Sequence, residues 1–499
     1  MADSRRQFLR LAGLGAVAAA AACTTDGRPG PTGPTGTTPG TAGPTTTGPP
    51  GPPDWVALRG RLAGELLLPA DAGYDAARAS FNAVYAQRRP AAVARCANAA
   101  DVQACVDTAR TARIPVAARG GGHSYAGYST PERGLVVDVG PMAAVEVRPD
   151  GTAVVQAGAR LIDVYAALAE KGRAVPGGSC PTVGIAGLTL GGGQGVFTRL
   201  HGLTCDRLRA VDVVLPDSTV VTAADGADDD LFWALRGGGG GNLGIVTAFT
   251  FETVPAPDVA VLGLRFPAGS APEVLGAWAE WVGAAPDELW STCVVSAGSP
   301  PGCRIGGCFV GTTGALNALA DDLVARVGSA PTQRSVSAKG YLDAMRYFAG
   351  CSTEPIEQCR QAEPAAFVGS SRMVRPGGLG DPGAVAAVVD GRTGIDLLFD
   401  SLGGAVARVA PDATAFPHRD AVAAVQVYAS GGDPAPVAEV QSALAGLVGT
   451  GAYVNYIDPG QQDWAQAYYG ANLPRLRAAV ARYDPDRVFD FPQGLVNAG

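Results

Sequence analysis

The sequence predicts an α+β protein of two domains, and three observations support this prediction. The chain has 499 residues, which is too long for one ordinary domain. Hydrophobic residues make up 47% of it, enough for two large cores. Helical and strand patterns alternate as far as a proline-containing break at residues 255–257, after which long Ala-rich stretches contain Trp278, Trp281 and Trp290. We therefore expect one domain before the break and a second domain after it.

The first of these domains shows an ordered succession of patterns. Apolar residues at helical spacing predict a helix over residues 101–109 and another over residues 161–168 that stops at Gly172. Short apolar and β-branched runs predict strands, which cover residues 114–118, 135–139, 153–157 and 245–251. Two further runs, residues 211–215 and 219–223, are joined by Pro-Asp-Ser and predict a hairpin. This mixture of helices and strands is typical of an α+β domain.

Residues 1–23 have the features of an export signal. Arg5 and Arg6 precede an apolar stretch from Leu11 to Ala22 that is too short for a stable transmembrane helix. Paired arginines are typical of the twin-arginine route, which exports proteins after they fold, and an ordinary Sec signal is the alternative. Cys23 follows three alanines, so a lipid anchor at this cysteine competes with plain cleavage after an A-x-A stretch. We expect an exported protein that is extracellular or anchored to the cell envelope.

Residues 24–53 predict a disordered linker. They are almost entirely Thr, Pro and Gly, a composition that cannot bury apolar surface and should remain extended. Such a spacer would hold a folded domain away from a surface, which favours the anchor at Cys23.

Composition also excludes several partners. The net charge is −8 and no run of Lys or Arg forms a basic stripe, which argues against nucleic acid or an anionic membrane surface. Only three histidines are present, so we expect no His-based metal site. We expect a monomer that binds a small-molecule substrate.

Ten cysteines in an exported chain suggest disulfides. Spacing does not determine the pairing, but it makes three local pairs candidates, namely Cys96/Cys105, Cys303/Cys308 and Cys351/Cys359. If Cys23 carries a lipid and Cys180 binds a cofactor, Cys205 and Cys293 are left over.

Two glycine-rich segments point to a large bound ligand. In residues 119–124, three glycines before His123 would let backbone N–H groups approach a pyrophosphate without Cβ clashes. Taken alone, this segment would be explained better as a flexible loop with a surface histidine. The second segment, residues 176–195, is dense in glycine and places Cys180 where a thiolate could reach a flat ligand; a disulfide half-cystine is the alternative. The two segments together favour the ligand-binding interpretation.

A third glycine-rich run, residues 236–244, matches the dinucleotide-binding fingerprint G-x-G-x-x-G. That fingerprint should open a helix, whereas the β-branched and aromatic residues 245–251 predict a strand. The run is therefore interpreted as a loop near the ligand or a tight turn, and not as a Rossmann site.

Several motifs resemble the berberine bridge enzyme-like branch of the vanillyl-alcohol oxidase superfamily, whose cofactor-binding fold is of the PCMH type. They are R-G-G-G-H-S (residues 119–124), G-G-S-C-P-T-V-G-I-A-G-x-x-L-G-G-G-Q-G (177–195), Y-x-N-Y-x-D (453–458), W-x-x-x-Y-Y-G-x-N (464–472) and Y-D-P-D-x-V-F with Gln493 (483–493). They occur in the family's order from about residue 88 to the end of the chain. The resemblance implies an FAD-binding domain over residues 54–257, a substrate domain of antiparallel sheet covered by helices over 258–440, and a segment, 441–499, that returns to the FAD domain.

The resemblance also implies that FAD is bound through two covalent bonds, from His123 to the 8-methyl carbon and from Cys180 to C6. Neutral imidazole and thiolate are both nucleophiles able to attack an electron-poor isoalloxazine. The other cofactor-binding residues that it implies are Arg119, Gly120, Gly121, Gly122, Ser124, Val183, Gly184, Gly187, Gly192, Gly193, Gly195, Gly244, Val246, Tyr453 and Asn455.

Catalysis requires a base that removes a hydroxyl proton as hydride leaves. By resemblance, Tyr456 is the base, Tyr453 supports it, and Gln426 lies near the flavin edge; one of the two tyrosines would otherwise be an aromatic packing residue. The lysine that family members often carry two residues before this Gln is replaced by Ala424. Val183 matches a position associated with oxygen access, so we expect O2 as acceptor and H2O2 as product.

The leading functional hypothesis is oxidation of an alcohol on a sugar, oligosaccharide or glycosylated metabolite. The first alternative is oxidative cyclisation or dehydrogenation of an alkaloid or polyketide by the same flavin. A second alternative is an inactive, surface-anchored binding lipoprotein, against which the intact His123, Cys180 and tyrosine pair count.

Overall fold

The structure, a computed structural model, describes residues 51–361 and 363–499. The predicted export signal, the candidate anchor at Cys23 and most of the predicted linker lie outside these residues. Within the described part of the chain, no helix has the length and apolar character needed to cross a membrane. Helices and strands are mixed along the chain, which confirms the predicted α+β class.

The first half of the described chain forms short helices and strands, and the predicted hairpin is confirmed as β8 and β9. Its elements are α1 (Trp55–Arg61), β1 (Glu65–Leu67), α2 (Tyr74–Arg78), β2 (Ala92–Arg95), α3 (Ala99–Ala112), β3 (Val116–Arg119), β4 (Leu135–Asp138), β5 (Val145–Val147), β6 (Thr152–Gln156), α4 (Leu161–Ala169), β7 (Arg173–Ala174), α5 (Ile185–Leu190), α6 (Thr198–His201), β8 (Leu208–Val214), β9 (Val220–Ala224), α7 (Asp229–Leu235), β10 (Ile245–Glu252) and β11 (Val254–Pro255).

Two sheets organise this half of the protein. Strands β1 to β4 form a sheet in the order β1-β2-β4-β3, in which β4 pairs in parallel with β2 and β3. Strands β5, β6, β10, β8 and β9 form, in that order, an antiparallel sheet. Helix α3 contacts both β4 and β8 and buries the predicted face that includes Val102, Cys105 and Ala109. Strand β10 directly follows the third glycine-rich run, which confirms that this run is not a Rossmann fingerprint.

The second half is built on one large sheet. Its elements are β12 (Asp258–Arg265), α8 (Ala271–Ala284), β13 (Leu289–Ser296), β14 (Gly302–Phe309), α9 (Thr313–Val327), β15 (Gln333–Gly340), α10 (Tyr341–Ala349), α11 (Ile356–Cys359), β16 (Phe367–Val374), α12 (Pro382–Ala387), β17 (Ile395–Ser401), β18 (Ala423–Ser430), α13 (Ala435–Val448), α14 (Trp464–Tyr469) and α15 (Leu473–Tyr483). Seven antiparallel strands run in the order β15-β12-β14-β13-β17-β18-β16.

The two faces of this seven-stranded sheet have different surroundings. Alternate residues of β12, Ala260, Leu262 and Leu264, are buried in a core with Trp278 and Trp281 of α8. The intervening residues, such as Val259 and Val261, belong to the core of the first half of the protein. Because side chains alternate between faces, one face carries the helices and the other turns towards the first half.

The C-terminal residues pack against the first half of the chain. Tyr453, Tyr469 and Leu476 are buried in the same core as the strands of the first two sheets. A buried ion pair joins the two halves before this segment begins, since Arg419, between β17 and β18, donates two hydrogen bonds of 2.8 Å to the Asp206 carboxylate. Two parallel charge-assisted hydrogen bonds are the strong form of such a pair and fix its geometry.

The cysteines follow the predicted pairing only in part. Cys351 and Cys359 form a disulfide, as predicted. Cys96 and Cys105 lie with their sulfurs 4.0 Å apart. The candidate pair Cys303/Cys308 is wrong, because residues five apart on strand β14 point to opposite faces. The sulfur of Cys303 instead lies 3.6 Å from that of Cys293 on β13.

The buried His418 is expected to make stability depend on pH. Its Nε2 lies 3.1 Å from the Tyr468 carbonyl oxygen, and burial lowers its pKa from 6.5 to about 4. Between these values the unfolded chain binds a proton that the folded protein does not, so stability falls as the pH decreases through this window. We expect His418→Gln to reduce the loss of unfolding free energy between pH 7 and 4.5 by about 2 kcal/mol, measured by urea denaturation. An equal loss in the wild type and the variant would contradict this assignment.

Candidate active site

A cavity of about 1560 Å³ lies where the first half of the protein meets the sheet of the second half. It is larger than the several hundred Å³ that a single small ligand needs. Its walls include the three glycine-rich segments on one side and residues of β12, β13, β14, β17 and β18 on the other. The cavity therefore has room for a cofactor and a substrate together.

The first two glycine-rich segments meet at one wall of the cavity. A Cβ atom on Gly121 would lie 2.3 Å from the backbone nitrogen of Gly184, and one on Gly184 would lie 2.4 Å from that of Gly121. Gly122 has φ = +71°, a left-handed conformation that favours glycine. Glycine is thus required at this crossing because two backbones touch there.

His123 projects from the first segment and is held in place on two sides. Its ring stacks on Phe81 with 4.0 Å between centroids, and its Nε2 lies 3.0 Å from the Thr182 hydroxyl. Burial, together with the positive charge of Arg160, lowers the pKa of His123 to about 4. The imidazole is therefore neutral at physiological pH, which is the form that can act as a nucleophile.

Cys180 belongs to the second segment, two residues before Thr182. Its side chain is exposed and lines the cavity, whereas the other unpaired thiols of the described chain are buried. Accessibility is one of the two requirements for a reactive thiol, the other being thiolate character. The predicted half-cystine alternative has no partner thiol here among the described residues.

Most of the predicted cofactor residues line the same cavity as His123 and Cys180. Those that do are Gly120, Gly121, Gly122, Ser124, Val183, Gly184, Gly187, Gly195, Gly244, Val246, Tyr453 and Asn455.

Three predicted residues, Arg119, Gly192 and Gly193, do not line it. The Arg119 guanidinium pairs with Asp138 at 2.9 Å and bonds the Ala77 carbonyl, so it anchors the end of β3. A Cβ on Gly193 would lie 2.3 Å from the Thr204 hydroxyl oxygen, which shows that this glycine serves packing behind the wall.

Tyr453 is buried and fully engaged by hydrogen bonds. Its hydroxyl oxygen accepts hydrogen bonds from the backbone nitrogens of Gly193 and Gln194, at 2.8 and 3.3 Å, and from Asn455 Nδ2 at 2.8 Å. Burial raises its pKa to about 12, and these three donors act in the opposite direction. The tyrosine thereby ties the C-terminal segment to the loop after α5.

Tyr456 faces the cavity more openly. Its hydroxyl oxygen accepts a hydrogen bond of 3.1 Å from Gln194 Nε2, and its ring packs at right angles to Tyr453 with 5.1 Å between centroids. Burial and then the negative charge of Asp400 raise the pKa of Tyr456 well above 10. Of the two tyrosines, Tyr456 is therefore the one that combines access to the cavity with a nearby carboxylate.

Two residues at this wall were not identified from the sequence. Tyr125 accepts a hydrogen bond from Gln426 Nε2 and stacks on Tyr456 with 5.4 Å between centroids. Asp400 lies on β17, directly opposite Ala424 in the register, and lines the cavity. The available signal for Asp400 is the strand pattern I-D-L-L-F-D-S, in which Asp396 and Asp400 share one face with Leu398.

Two family models and a bacterial relative match this chain. Residues 90–224 match a family model described as FAD binding domain, and residues 452–495 match one described as berberine and berberine like. The chain is 32% identical over 451 residues to an uncharacterized FAD-linked oxidoreductase of Bacillus subtilis, YgaK, covering 87% of this chain and 97% of that protein.

Oligosaccharide oxidases are also similar to this chain. The chitooligosaccharide oxidase of Gibberella zeae is 32% identical over 435 residues, which cover 81% of this chain and 87% of that protein. A solved structure of glucooligosaccharide oxidase from Acremonium strictum, described as carrying a 6-S-cysteinyl, 8α-N1-histidyl FAD, is 27% identical with a TM-score of 0.78, covering 86% of this chain and 97% of the other. On its motifs, its fold and these similarities, the chain belongs to the berberine bridge enzyme-like family of FAD-linked oxidoreductases.

Proposed function

We propose that this protein oxidises an alcohol group of a sugar, oligosaccharide or glycosylated metabolite with an FAD attached at both His123 and Cys180, and that O2 is reduced to H2O2. The observation that carries the proposal is the placement of a neutral imidazole, an accessible thiol and a tyrosine–carboxylate pair around one cavity. The FAD-binding unit comprises residues 54–257 and 441–499, and residues 258–440 form the substrate domain.

The residues present fit the cofactor. Nε2 of His123 is occupied by the Thr182 hydroxyl, so Nδ1 is the nitrogen that would bond the flavin. Cys180 supplies the second bond from the same wall of the cavity. The closely packed glycines at 121 and 184 bring backbone against the cavity without side chains. The likeness to a structure described as carrying cysteinyl and histidyl links supports this pairing.

Tyr456 removes the proton of the substrate hydroxyl, and Asp400 is the nearby acceptor that can take it on. FAD, when bound, would supply a two-electron acceptor for the hydride, with O2 as the final oxidant. Because its pKa is raised, Tyr456 is a neutral phenol before the reaction and needs the carboxylate to accept a proton from it. Tyr453 and Gln194 hold Tyr456 in position. Val183, at the position that the resemblance associates with oxygen access, lies in the cavity wall.

A sugar substrate is favoured over an alkaloid or polyketide by the walls of the cavity. Its substrate side carries hydroxyl, carboxylate, amide and guanidinium groups, among them Asp396, Gln426 and Tyr428. Such groups can exchange hydrogen bonds with sugar hydroxyls, which a hydrophobic ring system lacks. The similarity to chitooligosaccharide oxidase points the same way. The export signal and linker support the further proposal that the enzyme works outside the cytoplasm, held at Cys23.

Acid precipitation tests the attachment of the cofactor. We expect the wild-type pellet to stay yellow and its mass to exceed that of the polypeptide by one FAD. Single changes of His123 or Cys180 to Ala should keep flavin in the pellet through the other bond, and the double variant should release it. Ser124→Ala, which changes a neighbouring cavity residue without removing a nucleophile, is the matched control. Free FAD above the pellet of a single variant would contradict two attachments.

Peroxide detection during a substrate screen tests the reaction. We expect H2O2 with simple or oligomeric sugars. Peroxide only with aromatic alkaloids or polyketides would favour the alternative chemistry. Absence of peroxide with all substrates, together with no bleaching of the flavin without oxygen, would favour an inactive binding protein.

A further inference from the structure

A trough of small side chains leads away from Asp400 across the seven-stranded sheet. The strand register places Asp400 opposite Thr292, Thr292 opposite Gly306, Gly306 opposite Gly263, and Gly263 opposite Ser335. All five positions line the cavity. Four steps between neighbouring strands make the row about 19 Å long. The trough thus extends well beyond the place where the reaction occurs.

One wall of the trough is aromatic. Trp290 stands in the next row of β13, and α10 contributes Tyr347 and Phe348. The rings of Trp290 and Phe348 pack edge to face with 5.4 Å between centroids, and a Cβ on Gly263 would lie 3.4 Å from the Tyr347 hydroxyl. Rigid aromatic side chains next to a polar floor provide flat contact area together with hydrogen-bonding groups.

The opposite wall carries two arginines. Arg265 of β12 and Arg304 of β14 are directly opposite in the register and lie in the row that also contains Val294, Leu398 and Gln426. Like charges directly opposite on one face of a sheet are destabilising. The Arg265 side chain is exposed, and no ion pair to it is found among the described residues.

Arg304 is more deeply placed than Arg265. It donates a hydrogen bond of 2.9 Å to the Ser296 hydroxyl and lies 3.8 Å from the Asp396 carboxylate. Burial lowers its pKa; Asp396 opposes that effect and the charge of Arg265 adds to it. Two guanidinium groups therefore lie side by side at this wall, and the charge of Arg265 disfavours that of Arg304.

We propose that the trough binds an acidic oligosaccharide, with a uronic acid carboxylate of a sugar remote from the oxidised end held between Arg265 and Arg304. The planar guanidinium fork matches a carboxylate, and an anion placed there offsets the repulsion between the two arginines. Three to four strand spacings separate the arginines from Gln426, about 14–19 Å. The recognised carboxylate is therefore distant from the reacting carbon and affects binding without entering the chemical step. This inference rests on the proposed sugar oxidation only where turnover is measured; the binding measurement does not depend on it.

The experiment compares a neutral oligosaccharide with the same oligosaccharide ending in glucuronic acid. Binding of both to the holoenzyme is measured by titration calorimetry without oxygen, and turnover by peroxide release. We expect the wild type to prefer the acidic ligand and to lose that preference in high salt. We expect Arg265→Gln to raise the KM for the acidic ligand about tenfold, with kcat and the neutral ligand unaffected. Arg304→Lys, which keeps the charge but loses the fork, should give a smaller increase.

Arg326→Gln is the matched control, because Arg326 of α9 pairs with Asp322 of the same helix and with Glu280 of α8, away from the cavity. Equal binding of the two ligands by the wild type, or equal effects of Arg265→Gln and Arg326→Gln, would overturn the acidic subsite. Preferential binding of the acidic ligand without any turnover would support the subsite and count against the proposed oxidation. The two proposals can therefore fail separately.

Discussion

Tyr456→Phe is expected to slow reduction of the flavin by about 10²–10⁴-fold, the usual contribution of a positioned acid–base group. The change removes a hydroxyl that faces the cavity near Asp400 while it preserves the ring that packs on Tyr125 and Tyr453. Substrate affinity should change little, since the lost interaction is made chiefly in the transition state. Stopped-flow measurement of flavin bleaching without oxygen separates the reduction step from binding.

Asp400→Asn should give a loss of similar size, and the double variant should lose little more than either single one. Groups that pass one proton act as a unit, so their effects are far from additive. Tyr453→Phe is the informative comparison, because the Tyr453 hydroxyl already accepts hydrogen bonds from Gly193, Gln194 and Asn455. An unchanged reduction rate in Tyr456→Phe would place the base on another residue.

The α+β class and most elements of the first half could be predicted because their signals are local. The helix α3 face, the hairpin β8–β9 and strand β10 each follow from spacing within one short segment. The order of strands in the seven-stranded sheet could not be predicted. Strands β12 and β15 are neighbours, yet more than 60 residues of sequence separate them at their paired ends, Arg265 and Gln333. Such pairing depends on the global packing, which no local pattern records.

The residues of the candidate site also fall into those that the sequence could predict and those that it could not. His123, Cys180 and the tyrosine pair stand in dense motifs, and the structure brings them to one cavity. Asp400 stands in an ordinary strand pattern, and Tyr125, which directly follows the first motif, gains its role only where it meets Gln426 of β18. The wrong Cys303/Cys308 pairing has the same origin, because sequence distance ignores the alternation of faces along a strand. Arg119 shows that a residue within a motif need not belong to the site. It lies beside the glycines of the first segment, yet it forms an ion pair with Asp138 and does not line the cavity.

Replacement of Thr182 is expected to slow formation of the covalent bond between His123 and the flavin. In the Cys180→Ala background, where His123 is the sole attachment, Thr182→Val should reduce the rate of covalent attachment about 10–100-fold, the size of the loss when a metal-bound histidine loses its hydrogen-bond partner. With Nε2–H donating to the Thr182 hydroxyl oxygen, the lone pair is on Nδ1, the nitrogen proposed to attack. Without that oxygen, neither the ring orientation nor the tautomer is fixed. Time courses of acid-stable flavin fluorescence after adding FAD to apoprotein measure the rate directly.

Two comparisons distinguish this positioning role from a general loss of structure. Thr182→Ser keeps the hydroxyl and should restore attachment in the same background, whereas a packing defect from the lost methyl group would persist. Thr182→Val with Cys180 intact should still carry flavin in the acid pellet, because the cysteine bond does not require the histidine tautomer. Failure of Cys180→Ala alone to retain flavin would disprove the His123 bond itself.

Normal attachment in Thr182→Val/Cys180→Ala would show that Phe81, which stacks on the imidazole, is sufficient to orient it. Because Thr182 and Cys180 share one loop, a displacement of that loop affects both bonds at once, and the second segment therefore controls where the two attachments form.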